Sequence, residues 1–264
     1  MAEYKFIKCE LIDGVGVVTL NRPEVLNALS HDLIREFSSA LDQLPQRGAR
    51  ALVITGAGRG FSAGGDLARA RPSAAQGMAA DMAVAIGEVW NPFVEKLAAA
   101  PMPVITAING PVAGAGCGIA LAGDFIIMAK SAYMTLSFIK VGLVADAGAT
   151  WLLTKILGRQ RATRMLMLSE RISAEQADQW GMLYKVVEDG AALDAAMELA
   201  RQLAAGPTKA YALMRASIRD ALDGSLTESL AAELKHQVAA GQSADHLEGR
   251  TAFLEKRAPR YVGA

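Results

Sequence analysis

Two glycine-rich segments of this chain each follow a short apolar run and could offer backbone N–H groups to one ligand oxygen. The first is Gly60–Asp66, after the run Arg50–Thr55, and the second is Gly110–Cys117, after the run Val104–Ile108. Small residues let a backbone approach a ligand closely, and free N–H groups at a helix start can hold a developing negative charge. Together the segments predict an oxyanion hole. Taken singly, each is explained equally well by a tight turn whose glycines serve packing.

One carboxylate is well placed for proton transfer. Asp146 lies among apolar residues between Gly142 and Gly148, just before a predicted helix. An apolar setting raises the pKa of a carboxyl group and makes it a better base. The alternative is structural, because an Asp that precedes the helical run Ala149–Ile156 is a common N-cap. Position alone leaves both interpretations open.

The other reactive residue types argue against several kinds of site. His31, His236 and His246 have no metal-ligand spacing, so we expect no metal site. Cys9 and Cys117 do not indicate a disulfide framework, and Cys117 is expected to be a buried, inert thiol. Basic and acidic residues number 27 each, so no strong positive field favours nucleic acid.

Targeting and membrane segments are not expected either. The first residues contain no apolar run after a basic region, which argues against a signal peptide. The most apolar run, Val112–Ala129, is interrupted by four glycines and Asp124, whereas a membrane span needs about 20 mostly apolar residues. We expect a cytoplasmic protein without membrane partners.

The elements that position these segments follow from the spacing of apolar residues. Strands are predicted at Lys5–Leu11, Val15–Leu20, Arg50–Thr55, Val104–Ile108, Phe125–Ala129, Tyr133–Leu136 and Leu183–Val187. Helices are predicted after Ser30, over Met78–Ala99 with a bend near Asn91-Pro92, after Gly114, over Trp151–Ile156 and Arg159–Leu168, from Ser173 to Trp180, and up to Ala205. Residues Arg69–Gly77 read as a loop.

The order of these elements predicts an α/β core followed by a helical tail. Repeated strand–strand–helix turns favour an α/β core. Beyond Pro207 the strand signals vanish, and residues 207–257 read as helices with apolar faces. Those faces must pack on the core or on another subunit. We therefore expect a core over residues 1–205 and a C-terminal helical region over residues 206–264.

The motifs as a set resemble the crotonase superfamily, the enoyl-CoA hydratase/isomerase group. The matching segments are LNRPEVLNAL at 20–29, FSAGGDL at 61–67, PVITAINGPVAGAGCGIALAGD at 103–124, LSERISAEQA at 168–177 and FLEKR at 253–257. They occur in order over nearly the whole chain. The resemblance implies a spiral of ββα turns whose C-terminal helices form a homotrimer, often paired into a hexamer.

The resemblance also implies an acyl-CoA substrate and assigns residues to it. The two N–H groups that grip the thioester carbonyl fall on Ala63 and Ala115. Substrate contacts are also implied for Gly64, Gly65, Asp66 and Leu67. Asp66 is expected to cap or brace its own loop, and direct chemistry by Asp66 is the alternative.

Further contacts are implied for CoA and for the acyl group. Val25, Leu26 and Ala28 lie along the adenosine part of CoA in this scheme. Phe253 and Lys256 are candidates for contacting the CoA of the same or a neighbouring subunit, although Lys256 suits a solvated helix end as well. Trp90, Asn91 and Phe138 are expected in the acyl pocket, or else in the core.

One departure from the family pattern concerns the acid and base. Family hydratases use two glutamates, and the matching positions here are Gly118 and Phe138. Adding water needs an acid and a base around one water, so hydration is disfavoured. The segment VGLVADAGATWLL at 141–153 is similar to ring-1,2-epoxyphenylacetyl-CoA isomerases, in which the matching aspartate is the catalytic acid/base. The resemblance therefore assigns that role to Asp146.

These inferences combine into an acyl-CoA isomerase acting through an oxyanion-stabilised enolate, on an enoyl or ring-epoxide substrate. CoA is part of that substrate, and we expect neither a separate cofactor nor a metal. Fatty acid metabolism and phenylacetate catabolism are the settings that the resemblance implies. The alternatives are a hydratase that uses Asp146 and a non-catalytic relative that binds CoA or RNA.

Overall fold

A computed structural model of the chain describes residues 4–66 and 75–264. Leu67 and most of the predicted loop Arg69–Gly77 lie outside the described residues.

The core is a six-stranded sheet with the strand order β1-β2-β3-β4-β6-β9. Its first two strands form an antiparallel hairpin and the others pair in parallel. A smaller three-stranded sheet has the order β5-β7-β8. The bounds are β1 Ile7–Ile12, β2 Val15–Leu20, β3 Ala51–Gly56, β4 Val104–Ile108, β5 Val112–Ala113, β6 Phe125–Ala129, β7 Tyr133–Thr135, β8 Ile172–Ser173 and β9 Lys185–Val187.

Ten α-helices are described around and after these strands. Their bounds are α1 His31–Gln46, α2 Ala75–Ala85, α3 Asn91–Ala98, α4 Ala115–Leu121, α5 Ala149–Leu168, α6 Ala174–Gln179, α7 Ala192–Ala204, α8 Thr208–Asp223, α9 Leu226–Gly241 and α10 Ala244–Glu255. A π-helical turn, Ile86–Trp90, joins α2 to α3.

Local sequence signals explain several element boundaries. Asp13 and Gly14 take positive φ angles of 52° and 76°, as the tight β1–β2 hairpin requires. The Ser30 and Ser173 hydroxyls each accept a hydrogen bond from the backbone at 3.2 Å and so cap α1 and α6. Gly158 has non-helical angles and divides α5 into the two predicted helices. The fold class predicted from the sequence is therefore confirmed.

The core lies between the parallel strands and the helices that cover them. All residues of β3 and β4 are buried, as expected for parallel strands covered on both faces. Helix α7 packs against β3 and β4. On the other side α1 meets α3, where the rings of Phe37 and Phe93 lie 5.0 Å apart. These layers fix the ends of β3 and β4, from which the two glycine-rich segments emerge.

The C-terminal helices are tied to this core through α8. Arg215 pairs with Asp124 at 2.6 Å, and Arg219 donates to the Ala98 carbonyl at 3.2 Å. Helix α9 packs on α8. Large apolar side chains of this region are exposed, including Met214, Ile218, Leu226, Leu230, Leu234 and Phe253.

Within residues 4–66 and 75–264, no helix combines the length and the apolar character needed to cross a bilayer.

Candidate active site

The two glycine-rich segments lie side by side. Ala113 N–H donates to the Ser62 carbonyl at 2.8 Å, and Leu29 N–H donates to the Gly64 carbonyl at the same distance. The segment 62–66 is thus held between residue 29 on one side and β5 on the other. Three stretches that are distant in the sequence therefore meet in one place.

Glycines make this approach possible. Gly64 has a φ of 88°, and a Cβ there would lie 2.8 Å from the Ala113 carbonyl oxygen. A Cβ on Gly116 would lie 2.8 Å from the Cβ of Ser62. Real Cβ atoms do not tolerate such distances in a close-packed interior. The small residues of both motifs therefore serve the contact between the segments.

Ala115, one of the two predicted oxyanion donors, has a free backbone N–H beside the cavity. Ala115 is the first residue of α4 and lines the central cavity. The first N–H groups of a helix have no partner within the helix, and that of Ala115 has no acceptor among the described residues. Its N–H is therefore available to a ligand oxygen.

Ala63, the other predicted donor, does not have a free N–H. Ala63 lines the cavity, but its N–H donates to the Leu26 carbonyl at 2.8 Å. The Leu29 N–H donates to the Gly64 carbonyl, and the Asp66 N–H donates to the Leu29 carbonyl, which makes a parallel bridge between Leu29 and Gly65. In such a bridge the N–H of Gly65 points away from Leu29. Gly65 lines the cavity, and its N–H has no acceptor in the described part of the chain. The engaged N–H of Ala63 contradicts the role predicted for it, and the free N–H in this loop belongs to Gly65.

A buried ion pair braces this loop. Asp66 pairs with Arg22 at 2.7 Å, and the two side chains are only 8% and 7% exposed. Arg22 also donates to the Ala28 carbonyl at 2.6 Å. This geometry agrees with the bracing role expected of Asp66, and it ties the Gly65 loop to the 22–29 segment.

Asp146 does not serve as the N-cap of α5. That position is held by Gly148, with a φ of 73° and no side-chain cap. The Asp146 carboxyl lines the cavity, and its Oδ1 atom is buried without a hydrogen-bond partner among the described residues. Burial raises the pKa of this carboxyl, which its own backbone N–H lowers to a smaller extent. Such a group is suited to accept and return a proton.

The turn around Asp146 packs on α4 at Gly118. A Cβ on Gly118 would overlap the Ala147 carbonyl oxygen and would lie 2.9 Å from the Ala147 Cβ. Ala147 is in the left-handed region, with a φ of 50°, which costs an alanine roughly 1–2 kcal/mol. The glutamate that family hydratases carry at position 118 therefore has no room beside this turn.

These groups surround a cavity of about 890 Å³, a size typical of ligand sites. Apolar side chains form one wall, among them Ile86, Val89, Trp90, Phe138 and Leu143. Besides Asp146, seven titratable side chains among the described residues also line it: His31, Asp32, Arg35, Asp66, Asp81, Glu88 and Lys140. The cavity is thus lined by both apolar and titratable side chains.

The remaining predicted residues are divided between this cavity and other places. Trp90 and Phe138 line the cavity, and their contact with an acyl group stays a prediction. Asn91 does not line the cavity, because it begins α3 on the exposed side. His31, which we expected on the solvated surface, is exposed but also lines the cavity. Its place directly after the cap Ser30, beside the Asn-Ala-Leu loop, is the signal that could have found it.

The residues expected to contact CoA do not line the cavity of the single chain. Val25, Leu26 and Ala28 lie on the loop that leads to its wall at Leu29. Phe253 and Lys256 are exposed at the end of α10. Their contacts with CoA stay predictions.

Cys117 is completely buried in α4, and burial raises the pKa of its thiol to about 12. An inert thiol was expected here, and this position agrees with it.

The comparison with known proteins decides the family. The sequence profile of enoyl-CoA hydratase/isomerase matches residues 10–264. The chain belongs to the enoyl-CoA hydratase/isomerase family. Among its relatives, 1,2-epoxyphenylacetyl-CoA isomerase of Escherichia coli (strain K12) is 43% identical over 260 residues, covering 98% of this chain and 99% of the relative.

Two further members extend the comparison. Trans-2-decenoyl-[acyl-carrier-protein] isomerase of Streptococcus mutans is 32% identical over 262 residues, covering 99% of each chain. The crystal structure of an enoyl-CoA hydratase from Polaromonas sp. JS666 superposes with a TM-score of 0.90 at 36% identity, covering 97% of this chain and 99% of that one. The chain is thus a crotonase-fold enzyme whose relatives include both isomerases and hydratases.

Proposed function

We propose that this enzyme is an acyl-CoA isomerase in which Asp146 moves a proton along a 3-enoyl-CoA. The observation that carries the proposal is the buried, unpartnered Oδ1 of Asp146 in the same cavity as the free N–H groups of Gly65 and Ala115. The cavity thus provides one base and two oxyanion donors. CoA enters as part of the substrate, and the proposed reaction uses no separate cofactor.

The proposed reaction needs only these groups. Asp146 removes a proton from C2, the electrons of the broken C–H bond move toward the thioester, and the carbonyl oxygen becomes the oxygen of a dienolate. The N–H groups of Gly65 and Ala115 stabilise that oxygen, and removing one such donor typically costs a factor of about 10²–10³ in rate. The Asp146 carboxyl then returns the proton at C4. The double bond has moved from C3–C4 to C2–C3, and the mass is unchanged.

Hydration through Asp146 is the alternative within the family, and the Gly118 contact weighs against it. Adding water requires one group to activate the water and another to protonate the substrate. A carboxylate at position 118 would overlap Ala147, and Phe138 occupies the other glutamate position. One carboxyl is sufficient to move a proton, whereas hydration would need a partner for it.

A ring epoxide is a second candidate substrate. The relative from Escherichia coli is named for 1,2-epoxyphenylacetyl-CoA, and its 43% identity extends over nearly the whole chain. The aromatic and aliphatic wall of the cavity, including Trp90 and Phe138, suits a planar ring. If the substrate is this epoxide, the enzyme serves phenylacetate catabolism.

The test compares two substrates and one variant. With 3-hexenoyl-CoA, mass spectrometry and ultraviolet absorbance should show conversion to the conjugated 2-enoyl isomer without a change in mass. With crotonyl-CoA, the product heavier by one water should be scarce. Asp146→Asn, which keeps the size of the side chain, should lower isomerisation by at least roughly a hundredfold, the usual scale for a general base.

Two outcomes would contradict the proposal. One is near-normal isomerisation by a folded Asp146→Asn variant. The other is hydration of crotonyl-CoA by the unmodified enzyme at rates typical of enzymes, about 10 s⁻¹ or more. A panel that includes the ring epoxide decides between the two isomerase substrates.

We further propose that the enzyme assembles through its C-terminal helices. Leu226, Leu230 and Leu234 are exposed on α9, and Phe253 is exposed on α10. Contiguous exposed apolar side chains often mark an interface. Light scattering at micromolar concentration should give a trimer or a hexamer, and a monomer would contradict the proposal.

A further inference from the structure

The contact between Gly118 and Ala147 lies beside the proposed catalytic carboxyl. Gly118 is in the middle of α4, three residues after the oxyanion donor Ala115. Ala147 directly follows Asp146 in the sequence. The turn is therefore supported at this point by the same helix that begins with an oxyanion donor.

Two observations show that this contact leaves little freedom. A Cβ on Gly118 would overlap the Ala147 carbonyl oxygen and would approach the Ala147 Cβ to 2.9 Å. Ala147 is buried and left-handed, with a φ of 50°, so the surrounding structure must hold it in a conformation that alanine rarely adopts. The next residue, Gly148, is also left-handed, and a Cβ there would lie 3.2 Å from Val94 of α3.

We propose that Gly118 is a positioning residue for Asp146. Its missing side chain lets the Ala147 peptide rest on α4, and this contact fixes the direction in which the Asp146 carboxyl leaves the backbone. The same glycine therefore sets the distance between the base and the oxyanion donor at Ala115. This inference rests on the proposed role of Asp146 and adds the residue that places it.

The test is Gly118→Ala, measured by steady-state kinetics of 3-enoyl-CoA isomerisation over a range of pH. The added methyl group must displace the 146–148 turn while leaving the cavity wall at Trp90 and Phe138 intact. We expect kcat to fall at least tenfold and KM to change less than threefold. A misplacement near 1 Å can cost about a hundredfold in rate.

The pH profile separates positioning from a general loss of stability. The base must be ionised, so activity rises with pH through the pKa of Asp146, which burial raises. A displaced turn admits water to this carboxyl, and the acidic limb should then move to lower pH. Among the described residues, six titratable side chains line the cavity in addition to Asp146 and the ion-paired Asp66: His31, Asp32, Arg35, Asp81, Glu88 and Lys140. None of them is altered in this experiment.

Gly123→Ala is the matched control. Gly123 lies two residues beyond α4, and a Cβ there would be 2.8 Å from Thr106 Oγ1, which does not line the cavity. This variant also introduces a steric overlap, a milder one, in the same segment, but it does not touch the Asp146 turn. It should lower the melting temperature and leave the pH profile unchanged.

A second variant keeps the inference testable if Gly118→Ala does not fold. Ala147→Gly favours the left-handed conformation and so should fold, but it loosens the turn. We expect it to lower kcat more than KM changes and to move the acidic limb in the same direction. The inference would be overturned if kcat and the acidic limb were both unchanged in a folded Gly118→Ala variant. If Gly118→Ala does not fold, the same result in Ala147→Gly would overturn it. Asp146→Asn in the same assay tests the proposed function separately. If that variant is inactive, the proposed function stands whatever the Gly118 result, and if it is active, the proposed function fails.

Discussion

Removing the Asp66 carboxylate should destabilise the fold and weaken the oxyanion loop at the same time. The Arg22 side chain is 7% exposed in the intact protein, and Asp66→Ala removes the carboxylate that pairs with its guanidinium. The Ala28 carbonyl and the Phe6 ring, 5.6 Å away, are the contacts that remain to it. Breaking a buried ion pair by deleting one partner costs about 3–5 kcal/mol. For a chain of this length each kcal/mol corresponds to roughly 2–4 °C in the melting temperature. The expected decrease is therefore about 6–20 °C.

The effect on activity follows from where Asp66 lies. Its backbone N–H bonds to the Leu29 carbonyl, and the preceding residue, Gly65, carries the proposed donor. A loosened loop misplaces that donor, and losing one donor costs about 10²–10³ in rate. We expect kcat to fall at least tenfold in Asp66→Ala at temperatures where the variant is still folded.

Calorimetry and isomerisation kinetics on matched variants would check this reasoning. Asp42→Ala is the control, because Asp42 pairs with Lys96 at the surface, where such pairs contribute about 0–1 kcal/mol. If both variants lose the same few degrees and Asp66→Ala retains full kcat, the ion pair does not brace the donor.

Three further predictions concern single residues. Burial raises the pKa of Asp146 in the folded state, so the ionised carboxyl destabilises the fold above that pKa. This destabilisation disappears below the pKa that Asp146 has in the unfolded chain. Asp146→Asn should therefore match or exceed the original melting temperature at pH 7, and the difference should shrink toward pH 4 in calorimetric scans. Gly118→Glu should fail to fold or lose isomerase activity without gaining hydration of crotonyl-CoA, because the Ala147 carbonyl occupies the required space. Trp90 is 6% exposed, and Trp90→Ala should lower the free energy of unfolding by about 3–5 kcal/mol in denaturant titrations while admitting bulkier acyl groups in competition assays.

The sequence predicts the main elements well because periodicity and caps are local signals. Strands β1 to β4 and the capped start of α1 need only a few neighbouring residues to be recognised. The proposed oxyanion donor cannot be recognised from neighbouring residues. The direction of its N–H depends on the register of the Leu29–Gly65 bridge, which forms between segments far apart in the chain. Ala63 and Gly65 are equally plausible donors until that bridge is known.

Other details of the site depend on tertiary contacts as well. The helical spacing that places Trp90 in the cavity does not show that Asn91 faces away from it. Gly118 looks like one more small residue of a small-residue helix until Ala147 is seen against it. The two-residue strands β5 and β8 are too short to carry an alternation that could be read.

The division of the site between main chain and side chain affects how such an enzyme can diverge. The groups proposed to hold the enolate oxygen belong to the backbone at residues 65 and 115, so no side-chain replacement other than proline can delete them while the loops keep their path. The proposed proton transfer, in contrast, depends on the one carboxyl of residue 146. Mutation can therefore move or replace the catalytic base while the two backbone N–H donors stay in place. Proteins with this fold can thus evolve new reactions while they continue to bind the thioester oxygen.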